Sequence, residues 1–231
     1  MAGNGTTFLH LLGKTGTGKS STGNTILNQK VFSAKSSLSA VTSTIQMHEG
    51  FINSRKVVVA DGPGLVGVNT GVSHEAINQF KQVVDENRDS KHVFLIVCRY
   101  GERFTEEDEE MIKCLKAKFG GKIALENHSI VVLTCGDNFE RDTEDEGLTF
   151  EQWCQQQGGT FSSLRRDCGN RVLLVDNSRN PGKQAGSFLG DLDMEISRLD
   201  SRGVLILQPS RQVDNYEKSC CSSLSRFFKS L

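Results

Sequence analysis

The stretch Gly13-Lys14-Thr15-Gly16-Thr17-Gly18-Lys19-Ser20 decides how the rest of the chain is read. It satisfies G-x-x-x-x-G-K-[ST]. It also stands where that pattern has a mechanism, after a strand-like run at 8–12 (FLHLL) and before a helix-like run from 18 to about 27. Glycines let successive backbone N–H groups converge on phosphate oxygens, and the start of a helix adds a favourable dipole end. In that arrangement Lys19 reaches the β- and γ-phosphates as a mobile point charge, and Ser20 offers its hydroxyl to Mg²⁺.

Working outward, short apolar runs alternate with amphipathic ones. Residues 57–60 (VVVA), 93–98 (VFLIVC), 129–133 (SIVVL) and 172–175 (VLLV) read as strands, the last three as buried ones. Residues 75–86 have helical spacing through Ile77, Phe80 and Val84; residues 106–119 turn Met111, Ile112 and Leu115 inward; residues 184–199 close the domain as a helix. Alternating strands and helices imply parallel pairing with right-handed crossovers. The expectation is therefore an α/β P-loop NTPase fold, a doubly wound, mainly parallel sheet with helices on both faces. Ligands in such sheets bind at the carboxyl ends of the strands.

Three further segments fall at such ends. Asp61-Gly62-Pro63-Gly64 follows the second strand and matches D-x-x-G: the acid can hold Mg²⁺, and the Gly64 amide can sense a γ-phosphate. Residues 36–44 (SSLSAVTST) are rich in hydroxyls, and a first switch segment needs a Thr that reaches Mg²⁺; Thr42 and Thr44 both qualify by chemistry. Thr134-Cys135-Gly136-Asp137 follows the strand at 129–133. Guanine presents N1–H and N2–H₂, two donors that one carboxylate accepts as a fork, so Asp137 is either a guanine selector or a turn residue. Asp176-Asn177-Ser178 is either a loop over the base or a polar turn.

The bulk composition removes several classes. With 231 residues, 36% hydrophobic and 24% charged, the chain suits one α/β domain and a short tail. A balance of 27 basic against 28 acidic side chains gives no global basic field, so nucleic acid is not an expected partner. The seven cysteines include no C-x-x-C pair, which argues against zinc, and their odd number fits a reducing compartment. No secretory signal or membrane-spanning run is seen, and Ala2 removes the usual myristoylation start. At 217–231, Leu224, Phe227, Phe228 and Leu231 form one apolar helical stripe with Arg226 and Lys229 among them and Cys220-Cys221 before it. That segment is either an interfacial membrane anchor or a helix docked on the domain.

Taken together, GKTGTGKSSTGNTIL (13–27), Ala40-Val41-Thr42, DGPG (61–64), GERFTEE (101–107), TCGD (134–137) and Cys168-Gly169-Asn170-Arg171 resemble the immunity-associated GTPases, the GIMAP or AIG-type G domains, which are similar to septins and chloroplast-import GTPases. The GNTIL extension and the GERFTEE box are the specific parts, and the resemblance covers about residues 8–200. It implies an AIG-type G domain over 1–200, followed by a linker and short amphipathic segment at 201–231. It implies GTP or GDP as ligand with Mg²⁺, held through Ser20, Thr42 and Asp61. Nucleotide contacts would come from Gly13 through Ser20, with Ser21, Thr42, Gly64, Thr134 (in place of the usual Asn), Cys135, Asp137 and Asn177. The box around Arg103–Glu107 would lie near a nucleotide-dependent interface between G domains, giving a homodimer or higher homo-oligomer. The location expected is cytoplasmic, and where the tail is an anchor rather than a docked helix, 217–231 would bring the chain to a membrane surface.

Departures from the family pattern are Gly62, where a Thr is usual, and Cys135, which has no long stem to lie along a purine. Leu65 stands where a water-orienting Gln would, so hydrolysis by one copy is expected to be slow. Arg103 is the candidate for a catalytic arginine supplied in trans, and Arg99 is second. A GTP-loaded scaffold that does not turn over is the other class of function, and an ATP-using P-loop enzyme is disfavoured by Asp137.

Overall fold

A computed structural model describes residues 5–34, 43–67, 71–178 and 185–200. Its strands are β1 (Thr7–Leu12), β2 (Gln46–Ile52), β3 (Arg55–Asp61), β4 (Val66–Gly67), β5 (Gly71–Val72), β6 (Lys91–Arg99), β7 (Ser129–Thr134) and β8 (Val172–Leu174). Its helices are α1 (Lys19–Leu27), α2 (His74–Glu86), α3 (Glu106–Phe119), α4 (Gly121–His128), α5 (Gly136–Thr143), α6 (Phe150–Gln156), α7 (Gly159–Asp167) and α8 (Ala185–Asp200).

Period-two alternation sorts the central strands onto two faces. On β6, Val93, Leu95 and Val97 join Leu9 and Leu11 of β1 in a core closed by Ile26 of α1 and by Phe188, Leu192 and Ile196 of α8. Phe94, Ile96 and Cys98 point the other way, onto Phe80 of α2, Leu115 of α3 and Leu164 of α7. Both faces being covered explains why these strands read as unbroken apolar runs. The sheet order is β2-β3-β1-β6-β7-β8. All pairings are parallel except β2 with β3, so the expected doubly wound, mainly parallel sheet is present. The order reverses beside β1, which places the crevice at the end of β1 where the glycine-rich turn begins.

Some elements were not legible. β2 is an exposed edge strand with no apolar run, joined to β3 through a two-residue turn at Asn53-Ser54, where Asn53 takes φ 54°. The short helices α4 to α7 were also unread. α3 is entered through Thr105, whose N–H donates to Asp108 Oδ2 at 2.7 Å, and leaves through Gly120 at φ 102°. The five cysteines among the described residues are free thiols. No helix among these residues is long and apolar enough to cross a membrane. Residues 201–231, and with them the linker and amphipathic tail, lie outside the described residues.

Two adjacent strands carry a buried histidine pair. His92 Nε2 meets the Asn87 carbonyl at 3.0 Å and so donates, which leaves His92 Nδ1 to accept from His10 Nε2 at 2.9 Å. His10 Nδ1 is then a buried acceptor without a partner among the described residues. Burial pushes both rings below the ordinary histidine range, with the neighbouring His92 a second cause for His10, and burial lowers His128 to about 4. The unfolded chain therefore binds more protons than the folded one below about pH 6.5, and folding stability falls as pH drops from there. The expected slope is about 1.4 kcal/mol per pH unit for each histidine taking part. Urea unfolding between pH 7 and pH 5 checks it: a flat profile would show that the pair is not held neutral.

Candidate functional site

The carboxyl ends of β1, β3, β6 and β7 converge on the turn after β1. Gly13 has φ 150°, and a Cβ there would stand 2.3 Å from the Val97 carbonyl, so the turn can cross β6 only as glycine. Lys19, at the start of α1, is only 7% exposed and donates to the Lys14 carbonyl at 2.7 Å. Thr17 Oγ1 donates to the same carbonyl at 3.0 Å. Burial lowers Lys19 to about 8, opposed by Asp61. Ser20 Oγ donates to Asp61 Oδ2 at 2.5 Å, while Asp61 Oδ1 is buried and has no hydrogen-bond partner among the described residues. Burial raises the Asp61 carboxyl, against the pull of Ser20 and Lys19.

That orphaned carboxylate oxygen beside a hydroxyl suits a hard cation that takes oxygen ligands. Among the described residues no three His, Cys, Asp or Glu side chains gather as a metal cluster. One acid and one hydroxyl fit Mg²⁺, which keeps waters and substrate phosphate oxygens for its other positions, better than a caged transition metal.

The segment after Asp61 lies down on the glycine-rich turn. Leu65 N–H donates to the Gly13 carbonyl at 2.9 Å, and Thr15 N–H donates to the Val66 carbonyl at 3.2 Å. A Cβ at Gly64 would be 2.2 Å from Thr15 Oγ1, so glycine is needed for that approach. Leu65 itself is 0% exposed and turned into the core rather than toward the crevice. Gly62 also has its reason: a Cβ there would meet the Phe80 ring at 2.8 Å in a filled core, with no space for a threonine.

At the far end, Thr134 Oγ1 donates to the Thr17 carbonyl at 2.8 Å, bracing the turn rather than facing outward. Cys135, partly exposed at φ 62°, starts α5 and puts Asp137, half-buried, in its first turn. Asn177 is committed to α1: its Nδ2 donates to Thr22 Oγ1 at 3.0 Å, and its Oδ1 accepts from Thr25 Oγ1 at 2.7 Å. Ser21 lies one turn earlier, its carbonyl 3.1 Å from Thr25 Oγ1. Gly16 is exposed at the top of the turn. Thr42 lies outside the described residues, and Thr44 is exposed. Arg99, the last residue of β6, and Arg103, beyond it, are exposed. The box is held from behind by rings, with Phe104 on Phe161 at 5.8 Å, Phe161 on Trp153 at 5.8 Å, and Trp153 on Tyr100 at 5.2 Å. Arg171 is structural: it is buried and donates to the carbonyls of Ser129 and Glu126 at the junction of α4 and β7.

Two side-chain roles went unread in the sequence. Lys14 reaches sideways to Asp108 and Thr105 at the head of α3. Asn24, inside the GNTIL extension, accepts from Val31 N–H and Phe32 N–H at 2.9 and 2.8 Å and donates to the Phe32 carbonyl at 2.9 Å. Asn24 thus fastens the chain where it leaves α1, and Asn24→Ala is expected to cost about 2–3 kcal/mol by orphaning these buried groups. Denaturant unfolding measures it; a loss below about 0.5 kcal/mol would mean the fastening is idle.

A sequence model of the AIG1 family matches residues 7–199. The chain belongs to the AIG1 family. Immune-associated nucleotide-binding protein 7 of Arabidopsis thaliana is 34% identical over 180 residues, which are 76% of this chain and 55% of that protein. GTPase IMAP family member 8 of Mus musculus is 38% identical over 182 residues, covering 79% of this chain and 25% of that protein. The chain thus spans about half of its plant relative's length and a quarter of the mouse protein's. Among solved structures, Toc33 of Arabidopsis thaliana in complex with Mg²⁺ and GMPPNP superposes with a TM-score of 0.60 at 19% identity, covering 87% of this chain and 88% of that one. Era with MgGDPNP and a ribosomal RNA fragment gives 0.53 at 16% identity, covering 89% and 59%. The AIG1 chain therefore has the P-loop GTPase G-domain fold, and its GNTIL extension and GERFTEE box lie within the matched residues.

Proposed function

We propose that this AIG1 domain binds GTP and GDP with Mg²⁺ and hydrolyses GTP slowly unless a second copy assists. The observation that carries the reading is the pairing of a buried Lys19, whose charged form burial disfavours, with a bare Asp61 oxygen at the mouth of the glycine turn. Both groups are unfavourably placed until an anion and a cation arrive together. Backbone amides of 13–20 cradle the phosphates, Lys19 turns from the Lys14 carbonyl to the β- and γ-oxygens, and Ser20, Asp61 and Thr42 hold Mg²⁺. When bound, Mg²⁺ neutralises charge developing on the phosphates. Asp137 reads guanine, Thr134 and Cys135 shape the approach to it, and the loop at Asn177, pinned to α1, closes the base side. Gly64 senses the γ-phosphate.

Leu65 offers no polar group to a water, so assistance falls to Arg103 from a partner across the nucleotide face. Support comes from the Toc33 structures, one of which is described as a dimerisation-deficient arginine-to-alanine mutant; another report states that dimerisation is important for GTPase activity in Toc33 and Toc159. GTP hydrolysis per molecule should rise with protein concentration, and Arg103→Ala should remove the rise; a supplied arginine is worth ~10³–10⁵ in rate elsewhere. A rate independent of concentration sinks the trans arginine. The buried Leu65 favours a second reading, a GTP-loaded scaffold of like copies, which single-turnover assays would reveal by absent hydrolysis at every concentration. Competition by ATP as strong as by GTP would instead indicate an ATP-using enzyme. The location proposed is cytoplasmic, with membrane contact through 217–231; equal liposome flotation with and without those residues would refute the contact.

A further inference from the structure

We propose that Lys14 is a positioning residue that couples the phosphate cradle to the Arg103 box, an inference that rests on the nucleotide reading above. Lys14 is held at both ends. Its main-chain carbonyl accepts from Lys19 Nζ at 2.7 Å and from Thr17 Oγ1 at 3.0 Å. Its ammonium lies 2.6 Å from Asp108 Oδ2 and 3.0 Å from Thr105 Oγ1. The two charged side chains are only 15% and 10% exposed, so solvent screens this pair weakly. Asp108 also accepts from Thr105 N–H at 2.7 Å, so the same carboxylate closes the start of α3 and anchors the cradle.

Thr105 lies within the box that begins at Gly101 and Asp108 directly follows it, and Lys14, Arg103, Phe104 and Asp108 line one small cleft. Phosphate binding must draw Lys19 Nζ off the Lys14 carbonyl. The carbonyl of Lys14 then loses the shorter of its two hydrogen bonds, and the side chain of the same residue leads to the head of α3. A displacement at one end therefore has a direct hydrogen-bonded route to the other, and by linkage a partner pressing on the box alters phosphate affinity by the same factor. Neighbouring positions of the turn lack such a link: Gly16 has no side chain, and Thr17 Oγ1 stays within the turn.

The molecule carries its own reporter. Trp153 is its single tryptophan, and it packs on Tyr100 and on Phe161, which in turn packs on Phe104 of the box. The full chain is titrated with GDP and with a non-hydrolysable GTP analogue, and both the nucleotide Kd and the Trp153 emission are followed. Wild type is expected to change emission on binding. Lys14→Met keeps the carbonyl and the amide; at saturating nucleotide it should lose most of the emission change and the concentration-dependent part of hydrolysis. Asp108→Asn should do the same, and the exchange Lys14→Asp with Asp108→Lys should restore both. Thr105→Ala, which weakens the α3 cap but leaves the ion pair, should retain the emission change. A wild-type emission change in Lys14→Met would overturn the coupling while leaving the nucleotide reading intact. So would loss of binding in a folded Lys14→Met, which would make Lys14 a nucleotide contact instead. Failure of wild type to bind guanine nucleotide would overturn the nucleotide reading and the coupling together.

Discussion

Lys19→Met is expected to weaken GDP and GTP binding about 10²- to 10³-fold while leaving the fold intact. The side chain is almost fully buried, and among the described residues its ammonium has the Lys14 carbonyl and the field of Asp61 to balance the loss of water. A phosphate supplies the missing charge, so most of the interaction is realised only on binding. Truncating one member of a buried, hydrogen-bonded charge pair costs about 2–5 kcal/mol. Methionine keeps the stem's packing and removes a cation that burial disfavours, so the free protein should be no less stable. A pH signature accompanies this. The free protein's Lys19 sits at about 8, whereas bound phosphate holds it charged, so binding above that pH takes up a proton. GDP affinity should fall by up to about tenfold per unit above pH 8. Lys19→Met should flatten that slope. Isothermal titration at pH 7 to 9.5 measures both; an unchanged Kd in the variant would remove Lys19 from the phosphate site.

Asp137→Asn is expected to lower guanine-nucleotide affinity by about 10²-fold or more and to raise affinity for the xanthine analogues. A carboxylate accepts from both N1–H and N2–H₂ of guanine. Asparagine keeps one acceptor and turns a donor toward the exocyclic amine, leaving two donors face to face in a half-buried site. Xanthine has a carbonyl there and satisfies the new donor. Competition among GDP, XDP and ADP against a fluorescent nucleotide reads the order directly. GDP affinity within about twofold of wild type would mean that Asp137 is an ordinary first-turn acid.

Much of the fold was open to reading because burial on both faces leaves an unambiguous mark. The segments 93–98 and 130–133 are apolar at every position, since helices cover each side of the sheet. Edge strand β2 leaves no such mark. Only Ile52 of its seven residues is fully buried, and its place is set by hydrogen bonds to β3 that any side chains permit. The site divides in the same way. Glycines and Lys-Ser at 13–20 are demanded by backbone geometry and phosphate chemistry at fixed local spacing, so they could be read in place. Lys14 with Asp108, 94 residues apart, and Asn177 with Thr22, 155 apart, could not, because nothing local marks which polar group a polar side chain will reach.

By itself, then, the sequence determined the glycine-rich turn, the strands that flank it, the sheet that presents it and the family it belongs to. These rest on short-range patterns: alternation, spacing, and residues that alone tolerate a given φ. Only the tertiary structure decided what the surrounding side chains do. It turned Leu65 into the core, set Thr134 to brace the turn, tied Asn177 to α1, and left one oxygen of Asp61 bare beside a buried lysine. Those outcomes depend on which distant atoms remain available once the backbone has closed, and a buried polar group takes whatever partner the fold brings within about 3 Å.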